Sequence, residues 1–421
     1  SATRVDASQL IEKGRENLIL QSNQFDTTWT TANASVTSGQ SGYDGSSDAW
    51  LLQASGTFAF VRQLGLSVNG VATASVYLKA GTTDWVNFRL SASANNQIYV
   101  NLSNGTFGTI SAANLIDKSI EGIGNGWYRV SVVLNVSSLT GFYIYVADGD
   151  NTLNTTNETI YIQDAQLEQG LVATPYIETG ATSAQAGILE NTPRLDYSGG
   201  ATCPSLLLEP SRTNIIDSTE YFQDDYWTSE NLYAINTNIT ETTSPTGDYS
   251  ATKIVANTTS SPSHNVYQIL PQSSGTQYAV SIFAKAAEYD YLFIRGLGLG
   301  ANGGARFNIS TGVVLGTGGY DSAKIEDYGN GWYRCIAIGT STSTSAPYYH
   351  MSPTSNFAPF AGNNSDGIYI FGAQCEAGSY PTSYIPTYSV SQTRADDICI
   401  NLSLTTSTDF TIFFEAKDFC L

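Results

Sequence analysis

Histidine and methionine are almost missing, with two and one among 421 residues. That supply excludes His-based metal clusters, Cys/His nucleophiles and methionine-lined grooves. Charge is also scarce, at 13% of residues, about half the usual share. What charge there is leans acidic: 18 Lys and Arg against 37 Asp and Glu, a formal net charge of −19. Such a surface opposes phosphate backbones and anionic lipid, so nucleic acid is excluded as a partner. No apolar run reaches the length of a membrane span, and the opening SATRVDASQLIEKGR has no apolar secretory core. The expectation is a soluble chain with no membrane insertion and no export address. Five cysteines (Cys203, Cys335, Cys375, Cys399, Cys420) are too scattered for a disulfide scaffold and form no CxxC. Neither His264 nor His350 has a serine motif around it, and both read as loop residues. No spacing singles out a glycosidase pair among the carboxylates. The composition therefore points away from an enzyme.

What the chain does have is aromatic residues, 12% of the total with 26 tyrosines, and an internal repeat. NLILQSNQFDTTW at Asn17 returns as NIIDSTEYFQDDYW at Asn214, and TASVYLKAGTTDWVNFRL at Thr73 as AVSIFAKAAEYDYLFIRG at Ala279. GNGWYRVSVVL at Gly124 returns at Gly329, ETIYIQDAQLEQG at Glu158 as DGIYIFGAQCEAG at Asp366, and TPYIET at Thr174 as TSYIPT at Thr382. The offset widens along the chain, as it does when surface loops take small insertions. Arginine also recurs in ATRVD, TPRLD and QTRAD, at Arg4, Arg194 and Arg394. These three read as entry strands of successive units, the last with little chain behind it.

Within each copy, runs such as VATASVYLKA, WYRVSVVLNV, YAVSIFAKA and GIYIFGAQC alternate or stay apolar for five to eight residues, rich in Val, Ile, Tyr and Phe. SNGT, GNG, DGDN and NNSDG separate them, supplying the positive φ and side-chain turns of hairpins. No sustained helical period appears. The pattern predicts an all-β protein of two tandem antiparallel β-sandwiches with jelly-roll wiring, plus a short C-terminal strand segment. The units are residues 1–187, residues 188–393 with an N-terminal connector, and 394–421. That last stretch ends in STDFTIFFEAKDFCL, and is either an incomplete third unit or a strand exchanged with a neighbour.

The segments PRLDYSGG, CPSLLLEPSRTNII, SVYLKAG, GNGWYRV, IYIQDAQLEQG and TSYIPT…QTRADD resemble repeated modules of tailed-phage tail-fibre, minor tail and other virion surface proteins. The resemblance spans Ala2 to Asp397 in two copies. It implies carbohydrate-binding jelly rolls or concanavalin-like sandwiches on a virion surface or otherwise extracellular. The implied partners are a host-surface glycan and other virion or filament subunits, with homo-oligomerisation. The alternatives are a structural subunit held by strand exchange, and an accessory module of a polysaccharide-degrading enzyme.

Ligand surfaces tend to lie on variable connections of a rigid scaffold. The carbohydrate-binding candidates are therefore Trp29, Tyr43, Trp50 and Trp85 in the first unit and Tyr226, Trp227, Tyr233, Tyr289 and Tyr291 in the second. Trp29 and Trp227 recur, which also suits packing. Trp127-Tyr128-Arg129 and Trp332-Tyr333-Arg334 are expected to start strands, each tryptophan buried against the opposite sheet and each arginine paired with an acid. Lys79/Lys285 and Glu168/Glu376 are expected in structural pairings. Asp148, Asp150 and Asn151 in DGDNTLN offer the hard oxygens that a structural calcium takes, without EF-hand spacing. No other cofactor is called for. Cys335 and Cys375 replace Val130 and Leu167, which makes them core thiols, or a disulfide if their strands adjoin.

Overall fold

The computed structural model describes residues 2–91, 96–189, 192–299, 304–342, 348–352, 355 and 358–398. It is all-β, built as two tandem antiparallel sandwiches; the single helical turn described is a 3-10 turn at Ser198–Gly200. No helix in it is long and apolar enough to cross a membrane. The C-terminal stretch 399–421, with its apolar strand pattern, lies outside the described residues.

In the second copy each layer is a separate six-stranded sheet. The first layer runs, in spatial order, Leu232–Thr237, Thr252–Ala256, Gly367–Ala377, Gln277–Ala286, Trp332–Thr340, Ser322–Asp327. The second runs Thr228–Glu230, Asn265–Tyr267, Tyr348–Ser352, Tyr291–Arg295, Ala305–Asn308, Val313–Gly316. Successive strands cross repeatedly between layers, which is jelly-roll wiring. The first copy repeats this order, but Phe60–Ala80 and Trp127–Ala147, each 21 residues, pass from one layer into the other and join both into one ten-stranded sheet. Both bend at the corner: Gly65 and Gly70 take positive φ, and the pairing register slips between Val136 and Gly141. In the second copy the corresponding passage carries Pro271, which has no N–H for a ladder.

Period-2 alternation explains the core. Ala74, Val76, Leu78, Val130, Val132 and Leu134 of the first layer meet Val61, Val86, Phe88, Phe142 and Ile144 of the second. The second copy matches them with Val280, Ile282, Cys335, Ala337, Leu292 and Ile294. Each large side chain so buried contributes about 1.5–3 kcal/mol. Cys335 and Cys375 are both buried and free. They sit opposite Ile282 and Val280, so the whole Gln277–Ala286 strand separates them and no disulfide forms. Burial raises both thiol pKa values.

A buried polar frame is repeated atom for atom. Asn17 Nδ2 donates to the Ala165 and Ile177 carbonyls, and Asn214 Nδ2 to those of Ala373 and Ile385. Glu168 accepts from Gln166 Nε2 and from the amide and hydroxyl of Thr174; Glu376 accepts from Gln374 Nε2 and both donors of Thr382. The repeated glutamate is thus structural, saturated by hydrogen bonds as a buried carboxylate must be. Gly124, Asn125 and Gly126, and again Gly329, Asn330 and Gly331, all take positive φ, so the GNG turns adopt left-handed conformations. The lysines differ: Lys79 lies over the Tyr161 ring at 5.9 Å, and Lys285 donates to Thr242.

Four expectations need correction. Trp127 and Trp332 are 1% exposed, but they lie on the outer side of the first layer, not between the sheets. Alternation sends Val130 and Val132 inward and so Trp127 and Arg129 outward. Among the described residues the arginines bond no acid: Arg129 donates to Ser75 Oγ and the Thr174 carbonyl, Arg334 to Ser281 Oγ, and they lie over Tyr77 and Phe283. His350 is on a strand, whereas His264 lies in a connection as expected, buried with its ring nitrogens at the Asn231 and Phe360 carbonyls. Finally, Gln392–Arg394 is no entry strand. It pairs with Arg212–Asn214, as Ala184–Ala186 pairs with Arg15–Asn17, and so closes the second copy.

The aromatic outer faces are sealed differently. Over Trp127, Tyr43 stacks on Tyr77 at 3.8 Å and its hydroxyl donates to Asp164. Over Trp332, Ile11 packs with Phe283, Phe371 and Tyr384. Ile11 belongs to the N-terminal hairpin Thr3–Val5/Ile11–Lys13, which also sends Lys13 to Glu220 at 2.9 Å. The next hairpin, Leu195–Asp196/Ser205–Leu206, keeps the same clamp, Arg194 to Glu209 where the first has Arg4 to Glu12.

Candidate functional site

The outer side of the second layer carries a grid of aromatic, guanidinium and amide side chains in both copies. In the first copy the register aligns Arg62, Tyr143, Arg89 and Gln97 in one row and Phe60, Tyr145, Asn87 and Tyr99 in the next, with Trp85 and Asn101 beyond. Alternation sends Val86, Phe88 and Leu90 into the core, which leaves Trp85, Asn87 and Arg89 outside. Phe60, Trp85, Tyr99, Tyr143 and Tyr145 form an apolar cluster separate from that core. Arg62 lies over Phe60 and Tyr143 at 5.2 and 5.6 Å, and Arg89 over Tyr145 at 4.2 Å. Burial raises the Tyr99 and Tyr145 hydroxyl pKa values, so both remain neutral donors.

The second copy places Tyr267, Tyr348 and Arg295 in the equivalent first row. Asn265, His350, Phe293 and Arg306 fill the next by register, with Tyr291 and Asn308 beyond. Arg89 and Arg295, Tyr143 and Tyr348, Asn101 and Asn308, and the aromatic pair Trp85 and Tyr291 occupy matching positions. Tyr267 and Tyr348 lie 4.4 Å apart, and Arg295 stands 6.0 Å from the Tyr348 ring. Tyr267, Tyr291, Arg295 and Tyr348 are all half-buried, so ring faces and donors reach solvent.

Two buried amides on these faces each have one atom without a partner among the described residues. Asn87 Nδ2 has none, although Asn87 is 0% exposed; Asn265 Oδ1 has none, while its Nδ2 donates to Glu230. An unmet buried polar group costs about 1–3 kcal/mol, and such atoms accumulate where a ligand or ordered water completes the site.

Of the candidate binding residues, only Trp85 and Tyr291 lie on this grid, and both are on strands. Trp29, Trp50 and Trp227 are core staples: Trp29 packs on Phe25 and Phe142, Trp50 on Phe25, Trp227 on Phe222 and Tyr349, each with its indole N–H on a carbonyl. Tyr289 is buried in the second core and Tyr43 is the cap over Trp127, so none of these five offers a free ring. Tyr226 and Tyr233 are exposed but stand off the grid. Asp148 is taken up by Thr152 and the Asn154 amide, and Asp150 by the amide and hydroxyl of Thr109; with Asn151 they form a turn. No group of three or more His, Cys, Asp or Glu is placed to hold a metal among the described residues.

Arg89, Arg295, Tyr143, Tyr145, Tyr99 and Tyr348 were missed. Their signal was present in the sequence: TDWVNFRL against YDYLFIRG keeps an aromatic and an arginine four residues apart, on one strand face. A cavity of about 1090 Å³ lies elsewhere, between the copies, lined among others by Asp117, Lys118, Glu121, Arg129 and Tyr249. Arg129 and Glu168 in its wall are committed to the frame.

No protein-family model and no curated protein matches the chain. Among solved structures, the N-terminal CBM22-1–CBM22-2 tandem of Xyn10C from Paenibacillus barcinonensis is similar over 87% of this chain and 98% of that one, at 12% identity and a TM-score of 0.27. Vicilin from hazelnut, Corylus avellana, matches over 84% of each chain at 6% identity and a TM-score of 0.13. At such scores neither likeness carries weight. The fold assignment rests on this chain's own sheets and the functional reading on its own faces.

Proposed function

We propose that the chain is a non-enzymatic glycan-binding protein in which each sandwich offers the outer face of its second layer to a polysaccharide on a host surface. The observation that carries this reading is the recurrence of the grid in both copies. Aromatic rings stack on the apolar C–H face of a pyranose, while guanidinium and amide groups at fixed spacing meet its hydroxyls. Two such faces on one chain raise avidity, because the second contact is intramolecular. The motifs shared with virion surface proteins support display on a virion, where many copies multiply the effect.

The test is the full chain on arrays of bacterial polysaccharides, with tryptophan fluorescence as a second readout. Binding is expected, and Trp85→Ala and Tyr291→Ala each weaken it about tenfold, near 1.4 kcal/mol. Silence on every polysaccharide, with fluorescence unmoved, would overturn the proposal. New reducing ends on incubation would replace it with a polysaccharide-degrading activity.

A further inference from the structure

The two faces differ in what they leave unsatisfied. In the first copy three acceptors already hold donors. Asn87 Oδ1 takes Arg89 Nε, Gln97 Oε1 takes both Arg89 Nη2 and the Tyr99 hydroxyl, and Thr30 Oγ1 takes Arg62 Nε at 3.3 Å. What remains is donors: the two N–H groups of the fully buried Asn87 amide and the outer nitrogens of Arg62. Neither Arg62 nor Arg89 forms an ion pair among the described residues. The nearby acids Asp148 and Asp150 are held by their own loop and by Thr109.

The second copy's face differs in composition: Tyr267 stands in the place of Arg62 and Phe293 in that of Asn87, and an acceptor, Asn265 Oδ1, goes unmet among the described residues while its amide nitrogen donates to the Glu230 carboxylate. A chain of net charge −19 thus sets two acid-free guanidinium groups and an orphaned amide donor on one aromatic surface.

We infer that the first copy's face is a subsite for a carboxylate-bearing sugar, a uronate residue of an acidic polysaccharide. This rests on the glycan-binding reading above. The sugar ring lies against Trp85, Phe60 and the tyrosines, its carboxylate takes the fork of Arg62, and its ring or hydroxyl oxygens take the Asn87 amide. The second copy's face, where the Glu230 carboxylate stands beside the unmet Asn265 Oδ1, takes the hydroxyl donors of a neutral sugar.

The test measures the full chain by calorimetry against polygalacturonate and alginate, each beside its carboxyl-reduced form, at low and high salt. Binding to a uronate polymer is expected, weakened about tenfold by carboxyl reduction and falling with salt. Arg62→Gln removes that preference, while Arg62→Lys keeps the salt dependence with part of the affinity; an unchanged melting temperature shows that both fold. Equal affinity for reduced and unreduced polymers, binding to neutral polymers alone, or an Arg62→Gln chain that still prefers uronate would overturn the inference and leave glycan binding standing. Binding to none of the four polymers, joined to silence on the wider array, would remove both.

Discussion

The two copies share a scaffold and differ at their corners and caps. The first runs two 21-residue strands through both layers; the second breaks the same path at Pro271 into separate sheets. The first seals the aromatic side of its first layer with Tyr43 from its own loop, and the second with Ile11 from the hairpin that begins the chain. Yet the Asn17/Asn214 and Glu168/Glu376 frames coincide. The module is thus defined by its inward alternation and saturated polar frame. The cap is interchangeable, provided something excludes water from the tryptophan. A cap lent by a neighbouring segment also ties the modules together, since Ile11 and Lys13 bind the N-terminus to the second sandwich.

The most severe test of that comparison is to delete the shared tryptophan. Trp332→Ala should destabilise the second sandwich by about 3–5 kcal/mol, and Trp127→Ala the first by a similar amount. Hydrogen exchange resolved by sandwich reads the result, and a loss spread equally over both would defeat the view of two separate cores. Next come the caps. Ile11→Ala should cost about 2–4 kcal/mol in the second sandwich although Ile11 lies 200 residues away in sequence. Tyr43→Ala should weaken only the first. If Ile11→Ala loosens the first instead, the lent cap is refuted.

A pH dependence arising from the bulge at Asp164 should mark the first copy. Asp164 holds positive φ in the bulge of Thr159–Gln169, where the second copy has Gly372. Burial first, then the Asp48 and Asp44 carboxylates, push its pKa up to about 7, against the hydrogen bonds from Tyr43 and Tyr176. Because the folded pKa exceeds the unfolded one, the folded state binds the extra proton between about pH 4 and 7. Stability of the first sandwich should then fall as pH rises through that window, by up to about 1.4 kcal/mol per pH unit. Asp164→Asn should flatten the dependence, and denaturation curves across pH check it. The smallest effect belongs to the exposed pair Lys324–Glu326. Lys324→Gln should change stability by less than about 0.5 kcal/mol, and a larger loss in the same assay would show that surface charge matters here more than packing.

Much of the architecture was legible beforehand. Repetition identified the copies, strand alternation the all-β class, and GNG the positive-φ turns. The site was half legible. Trp85 and Tyr291 lie on the proposed face, but Arg89, Arg295 and the tyrosines opposite them sit within strands, where the expectation of ligand aromatics on loops does not reach. Trp29, Trp50 and Trp227 looked like ligand aromatics because a bare tryptophan reads the same in a core as on a surface. Arg394 looked like a third entry because the TRAD motif resembles the first two, while its pairing with Arg212 depends on contacts nearly two hundred residues apart.

The sequence alone determined that two related sandwiches form, because period-2 alternation and its repetition are local properties that each strand carries with it. Which outer side is sealed, and by which segment, was decided only by the tertiary structure. Alternation places a residue on one face of its own strand, but whether that face meets another layer, a borrowed hairpin or solvent depends on neighbours set by register. The rows that join Arg62 to Tyr143 and Arg89, and Phe60 to Tyr145 and Asn87, exist only once distant strands have paired.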